Sequence, residues 1–250
     1  MKKDIVILKN IFYNINVMYM KEFNRFINLI GEEKFELLQQ KTILIIGLGG
    51  VGGYCVETLA RSGFNHLILV DFDKIDITNI NRQIIALHDN IDCLKSEEFK
   101  KRINLINPDC KVDIINEYIN EENIDLLFTK KIDYIVDACD TINTKKLIIK
   151  EASKRNIKLI SVMGMGNKID PTKIIITELS KTSYDPIAKI LRKYVREEKI
   201  NNKIMVISSN EEVKVRDKTI FSNSYVPPVA GLYCTFYIVN DIINNEGMVG

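Results

Sequence analysis

The sequence predicts an α/β protein: a doubly wound, Rossmann-like, mostly parallel sheet with a C-terminal extension packed on it. Three observations predict it. Short, continuous apolar runs recur along the chain, as strands buried on both faces require. Amphipathic helical segments separate them, which makes parallel pairing with right-handed crossovers the natural connection. A glycine-rich turn joins the first apolar run to the first of these helices, in the position where such sheets bind nucleotides.

The elements follow in order. TILIIG (42–47) is a buried strand ending in Gly, and GGVGGYCVETLARSG (49–63) is a glycine-rich turn opening a helix that stops at Gly63. HLILVD (66–71) is the second strand. KSEEFKKRINLIN (95–107) is a helix, with Ile103 and Ile106 on one side and Pro108 as its stop. KVDII (111–115) and DYIVDA (133–138) are further strands, TKKLIIKEASKRN (144–156) a helix and IKLISVM (157–163) a fifth strand. Beyond 163 the alternation loosens. KIIITEL (173–179) and KIMVISS (203–209) read as strands. DPIAKILRKYVREEK (185–199) is a basic helix with Asp185 as N-cap and Pro186 at its first position. PPVAGLYCTFYIVNDII (227–243) is an apolar closing helix. Residues 1–20 read as a loose N-terminal extension, or as an upstream misreading of the start. Residues 21–250 read as one domain, with a core over 41–163 and a substrate-facing part over 164–250.

Composition bounds the function. A chain of 250 residues with 46% hydrophobic and 27% charged side chains can bury a core, which excludes extended disorder. The 35 basic and 33 acidic side chains leave +2, so only a local basic face could grip nucleic acid. Only eight of the basic residues are Arg. The five cysteines form no CxxC pair, which argues against a zinc knuckle and for reduced thiols in the cytoplasm. No apolar run approaches the roughly 20 residues that span a bilayer, so no membrane partner is expected.

GLGGVG (47–52) lies between a strand and a helix, the context that gives the motif its meaning. Gly47, Gly49, Gly50 and Gly52 let the backbone turn tightly and approach a phosphate, and the helix N-terminus adds oriented N–H groups. Asp71 ends the next strand 19 residues past Gly52, where an acid binds ribose hydroxyls. A nicotinamide dehydrogenase would share these features. The loop DFDKIDITNINRQ (71–83) argues against one, because it sets Asp71, Asp73, Asn79, Asn81, Arg82 and Gln83 beyond the strand's carboxyl end. Arg82 can fork onto phosphate oxygens, Lys95 can add a point charge, and Asp140 can hold magnesium. Each has a plain alternative: a surface ion pair for Arg82, a solvated helix start for Lys95, a helix N-cap for Asp140. Together they suit a triphosphate with its metal.

The residues GLGGVGG, LVDFDKIDITNINRQ and Lys95 resemble the ubiquitin-activating-enzyme-like adenylyltransferases, the ThiF/MoeB/HesA superfamily. FNRFINLIGEEKFELL (23–38), RINLINPDC (102–110), KIDPTKI (168–174), LSKTSYDPIAKILRKYVREEKI (179–200) and SYVPPVAGLYC (224–234) are similar to its tRNA threonylcarbamoyladenosine dehydratase branch. The resemblance covers roughly residues 22–245. It implies ATP-dependent adenylylation of the threonyl carboxylate of threonylcarbamoyladenosine beside the tRNA anticodon, followed by ring closure with net loss of water. It implies ATP and Mg2+, with a monovalent cation as a candidate further ion. Partners would be the tRNA anticodon stem-loop, a second copy of the chain and a sulfurtransferase-type protein. It places Asp71 on ribose, with Asp73 beside it, Asn79, Arg82 and Lys95 on the triphosphate, and Asp140 on magnesium. Arg25 would reach the phosphates across a dimer interface, although from the residues alone it is a lone Arg on a short amphipathic stretch.

The alternative is an adenylyltransferase that activates the C-terminus of a ubiquitin-like sulfur-carrier protein. Those enzymes commonly carry two CxxC zinc pairs, which this chain lacks. Cys234 is the candidate thiol for that route, but it lies in an apolar helix and reads as a packing residue, as Cys139 does at a strand end. Lys189, Arg192, Lys193, Arg196 and Lys199, joined by Lys181, Lys154, Arg155 and Lys158, form a candidate RNA-facing surface. The counter-reading is a solvated helix partly neutralised by Glu197 and Glu198. His66 and His88 read as structural or surface residues.

Overall fold

The computed structural model describes residues 21–213 and 219–245, so the expectation for residues 1–20 lies outside the described residues. Seven strands form one sheet: β1 (Thr42–Ile46), β2 (His66–Val70), β3 (Lys111–Ile115), β4 (Tyr134–Asp137), β5 (Lys158–Val162), β6 (Ile174–Glu178) and β7 (Met205–Ser209). Their spatial order is β3-β2-β1-β4-β5-β7-β6, parallel except for β6, which runs antiparallel to β7 with Ile174 opposite Ser209. In register, Thr42 faces His66 and Ile43 faces Tyr134. The chain winds outward from β1 through β2 to β3, then returns to start β4 on the other side of β1. That reversal opens a crevice at the strands' carboxyl ends, between β1 and β4.

Strand alternation divides the core between two faces. Ile43 and Ile45 of β1 join one buried cluster, and Leu44 and Ile46 join the other. The helices are α1 (Asn24–Ile30), α2 (Glu32–Gln39), α3 (Gly52–Arg61), α4 (Lys95–Ile106), α5 (Ile142–Arg155), α6 (Pro186–Glu197) and α7 (Val226–Asn245). Side chains of α2, α3, α4 and α7 fill the first cluster, and those of α5 and α6 fill the second.

The C-terminal part both covers the sheet and extends it, since β7 pairs with β5 and β6 with β7. Asp185 caps α6 as expected: its Oδ1 accepts the Ala188 N–H at 2.8 Å, and Pro186 opens the helix. The glycine-rich turn opens the helix as expected, with the helix itself beginning at Gly52. α7 corrects one expectation. It is long and apolar enough to cross a bilayer by length and composition. It is a core helix all the same: Ala230, Cys234, Ile238 and Ile242 are fully buried. A Cβ on Gly231 would sit 2.3 Å from the Val51 carbonyl oxygen, so only glycine lets α7 lie this close to the start of α3.

Candidate functional site

A cleft of about 730 Å³ occupies the crevice. Gly47, Gly49, Gly50, Asp71, Asp73, Asn79, Arg82, Lys95 and Asp140 all line it. Its floor is the turn after β1. Gly47 has φ 88°, and its N–H donates to the Val70 carbonyl at 2.9 Å. A Cβ there would lie 2.7 Å from the Ala138 carbonyl oxygen, while one on Gly49 would meet nothing closer than Gln83 Nε2 at 3.8 Å. The tight turn and the open approach thus fall to different glycines. Gly52 does not line the cleft: a Cβ on it would fall 1.8 Å from the Gly47 carbonyl oxygen. The closeness of that approach gives Gly52 a packing role between helix and strand. Val51, the N-cap of α3, gives no side-chain cap, so the start of the helix faces the crevice without one, although the Gly53 N–H is taken by the Gly49 carbonyl at 2.9 Å.

Asp71 follows β2 and is buried. Its Oδ2 accepts the Leu48 N–H at 2.6 Å and its Oδ1 the Asp73 N–H at 2.8 Å, so it is wired to the glycine turn. Burial pushes its pKa up, against the opposing pull of the Lys95 ammonium and the two amides. Each oxygen keeps a lone pair for a hydroxyl donor. Lys95 donates to Asp73 Oδ2 at 2.8 Å. Its side chain is only 6% exposed, so a solvated helix start does not describe it.

The loop 76–83 folds on itself. Asp76 caps it and accepts the Thr78 N–H at 2.8 Å, while buried Asn79 accepts the Asp76 N–H at 3.2 Å. Arg82 spends one nitrogen, Nη1, on the Thr78 carbonyl (3.0 Å) and Asn81 Oδ1 (2.9 Å). Asn81 turns away to the Ser222 carbonyl at 3.2 Å. Gln83, which the sequence places in this polar loop without a role, stands out in the structure. It lines the cleft, is 7% exposed, and its Oε1 has no hydrogen-bond partner among the described residues. A buried acceptor without a donor beside a ligand-sized cleft fits a ligand that supplies one.

Asp140 is exposed after β4, and among the described residues its one hydrogen bond is with Thr141 Oγ1 at 3.4 Å. Among the described residues no cluster of three or more His, Cys, Asp or Glu could hold a metal ion. A single carboxylate suits magnesium that arrives with a triphosphate and completes its shell with phosphate and water oxygens. The far wall, formed by Met165, Gly166, Ile220, Ser222 and Pro227, comes from segments whose convergence no motif announces. Phe72 and Tyr118, a T-shaped pair with centroids 5.3 Å apart, stand at the β2–β3 end.

Other expected residues sit elsewhere. Arg25 is exposed on α1, outside the cleft lining. Cys234 is fully buried, its thiol held well above the ordinary range by its contact with Cys55 and by burial. Cys139 lines the cleft, but its Sγ turns to Asp137 Oδ1 at 3.0 Å, and burial raises it strongly as well. His66 bridges Thr42 and Asp113, a structural role.

The basic surface is smaller than its sequence suggests. Arg192 bonds the carbonyl (3.0 Å) and hydroxyl of Thr182. Lys181 pairs with Glu178 at 3.1 Å, Lys154 with Glu151 at 3.6 Å, Arg155 with Asp125 at 2.7 Å and Lys158 with Asp241 at 2.7 Å. Lys193 pairs with Glu197 at 3.6 Å, and with Lys189, Arg196 and Lys199 it stays exposed on α6 and just after it.

A model of the ThiF family matches residues 23–225. The tRNA threonylcarbamoyladenosine dehydratase of Bacillus subtilis (strain 168) is 40% identical over 244 residues, covering 90% of this chain and 96% of that protein. That of Haemophilus influenzae is 40% identical over 180 residues, covering 72% and 69%. The crystal structure of Escherichia coli tRNA N6-threonylcarbamoyladenosine dehydratase in complex with ATP superposes with a TM-score of 0.88 at 29% identity, covering 93% of this chain and 98% of that one.

Proposed function

The chain belongs to the ThiF family, and from that premise we propose that it is an ATP-dependent tRNA threonylcarbamoyladenosine dehydratase. One observation carries the reading: the crevice between β1 and β4 gathers a glycine turn, two cations and an unclustered carboxylate around one ligand-sized space. In this reading Asp71 holds the ribose, and Gly47, Gly49, Gly50 and the start of α3 cradle the phosphates. Asn79, Arg82 and Lys95 meet the triphosphate, Gln83 Oε1 accepts from a donor group of the nucleotide, and Asp140 holds magnesium. Magnesium held by Asp140 would supply positive charge to offset that developing on the phosphates.

The chain's own side chains orient and stabilise. The fixed fork of Arg82 and the buried ammonium of Lys95 stand ready where charge accumulates on the leaving pyrophosphate, without reorganisation at the moment of reaction. The threonyl carboxylate attacks the α-phosphorus, forming the acyl-adenylate and releasing pyrophosphate. A nitrogen or oxygen of the same threonylcarbamoyl group then closes a five-membered ring on the activated carbonyl and expels AMP. Atoms balance as the loss of one water from the tRNA base. No protein nucleophile is needed, which agrees with the high thiol pKa values of Cys139 and Cys234.

The finer partners belong to the same proposal. The tRNA backbone meets Lys189, Lys193, Arg196 and Lys199. A second copy of the chain contributes Arg25, a reading supported by its place outside its own cleft. A monovalent cation, a sulfurtransferase-type protein and a cytoplasmic location rest on the family resemblance, the last supported by five free cysteines. The deciding experiment incubates threonylcarbamoyl-modified tRNA with protein and magnesium–ATP and analyses its nucleosides by mass spectrometry. Loss of the mass of one water supports the dehydratase. Adenylation of a sulfur-carrier protein alone, with the tRNA unchanged, overturns it.

A further inference from the structure

Behind the cleft lies a charged pair that the function above does not use. Asp137, the last residue of β4, and Lys145, in the first turns of α5, are 0% and 1% exposed, and neither lines the cleft. Lys145 Nζ donates to Asp137 Oδ2 at 3.0 Å and approaches the Asp137 carbonyl at 3.4 Å. Ser161 Oγ donates to the same Oδ2 at 2.6 Å. Oδ1 takes the Cys139 N–H at 3.3 Å and its thiol at 3.0 Å. Burial works against the Lys145 charge, yet the Asp137 carboxylate outweighs it and keeps the lysine's pKa raised.

Two charges so deeply buried contribute little to stability, since an apolar pair of similar volume often serves as well or better. Geometry indicates another use. The Asp137 carboxylate holds the turn 137–141 through the Cys139 N–H and thiol, and the Lys145 ammonium in turn holds that carboxylate at 3.0 Å. Ala138, Cys139, Asp140 and Thr141 of that turn line the cleft. The turn also bears on the glycine floor: a Cβ at Gly47 would lie 2.8 Å from the Cys139 nitrogen, and one at Gly52 would lie 3.3 Å from Ala138 Cβ. Asp140 is exposed, and among the described residues its one hydrogen bond is the 3.4 Å contact with Thr141, so its place is set by its backbone.

We propose that the buried Asp137–Lys145 pair is a positioning device, which sets Asp140 and the glycine turn at a fixed separation for a magnesium–triphosphate. The proposal rests on the reading that Asp140 meets the metal, and its test separates the two. Mn2+ serves as the probe, its affinity for the protein–AMPCPP complex being measured by electron paramagnetic resonance. Thermal unfolding and metal-free AMPCPP affinity are measured beside it.

Lys145→Met alone strands a buried carboxylate, so the informative variant is Asp137→Asn with Lys145→Met, which removes both charges. Its expected behaviour is unfolding near that of the parent with Mn2+ bound roughly tenfold or more weakly, the scale of loss when partners behind a metal ligand are removed. Metal-free nucleotide affinity changes far less. Ser161→Ala, which keeps the ion pair and frees one lone pair of Asp137, gives a smaller loss in the same direction. Should the double variant fail to fold, Ser161→Ala decides. Parental Mn2+ affinity in the double variant, or in Ser161→Ala if that is the deciding variant, overturns the proposal provided Asp140→Asn is weakened. Parental affinity in Asp140→Asn overturns the reading of Asp140 and the proposal with it.

Discussion

Arg82 reaches the cleft from a turn that does not depend on it. Its two bonds, to Thr78 and Asn81, are exposed and share one nitrogen, so their loss costs well under about 1 kcal/mol. At the triphosphate the same guanidinium is a preorganised cation, and removing one such group slows a reaction by roughly 10²–10³. Arg82→Ala is therefore expected to cut pyrophosphate release by about that factor with an unchanged melting temperature. Normal pyrophosphate release in the variant removes Arg82 from the site. At this scale the sequence was legible where spacing carried the information. Asp71, Arg82 and Lys95 stand at fixed distances from a strand end and a glycine motif, and each does line the cleft. Gln83 was placed in the right loop but given no role, and Lys145 was not legible at all, because what distinguishes them is burial. A lysine four residues into an amphipathic helix looks solvated until the tertiary structure encloses it. Arg192 misled in the opposite direction, since only the fold shows Thr182 beside it.

Helices are fixed to one another by polar contacts as well as by the core, and α3 and α4 give the clearest case. Glu57 on α3 is 6% exposed and takes Arg102 of α4 at 2.5 Å and Arg61 at 2.7 Å. Burial raises the Glu57 pKa, but the two guanidinium groups outweigh it and hold the carboxyl below 4.5. A lowered folded pKa stabilises the protein above the unfolded value, and the gain is lost as pH falls through the folded one. Glu57→Gln is thus expected to lose roughly 1–3 kcal/mol at neutral pH, with the deficit shrinking as pH drops below 4.5. Urea unfolding across that range checks it, and a deficit that persists undiminished in acid refutes the ion-pair account. On α6 the exposed cations Lys189, Lys193 and Arg196 recur at helical spacing on one face. Reversing all three to Glu should weaken tRNA binding and flatten its salt dependence, by about 0.7–0.9 in log–log slope for each phosphate no longer neutralised. An unchanged slope in filter binding at graded KCl places the RNA on another surface. Strands and helices were legible because apolar runs and amphipathic stretches are local signals. The start of α3 was legible too, because its glycine-rich turn carries its own local signal.

The whole molecule converges on its switch point, and that is where a ligand must act on stability. β1 and β2 send their carboxyl ends into the cleft, the segments that follow β4 and β5 line it, and the segment at 220–222 closes it from a distance of more than 130 residues from Arg82. That closure and the antiparallel β6 at the sheet's edge left no local mark in the sequence, because both depend on pairing between remote segments. A nucleotide seated there touches segments that are brought together only in the folded chain, so it binds the native state and not the unfolded one. Mass action then stabilises the fold by about 2.7 kcal/mol when ATP is present at a hundredfold its dissociation constant. For a chain of 250 residues that corresponds to a rise in melting temperature of about 5–11 °C. Scanning fluorimetry with ATP, and separately with NADH, measures it. ATP should raise the midpoint and NADH leave it in place, because Arg82, Lys95 and Asp140 are suited to a triphosphate with its metal and have no task in hydride transfer. An equal rise with NADH would return the cleft to the dinucleotide-binding enzymes that share its glycine turn.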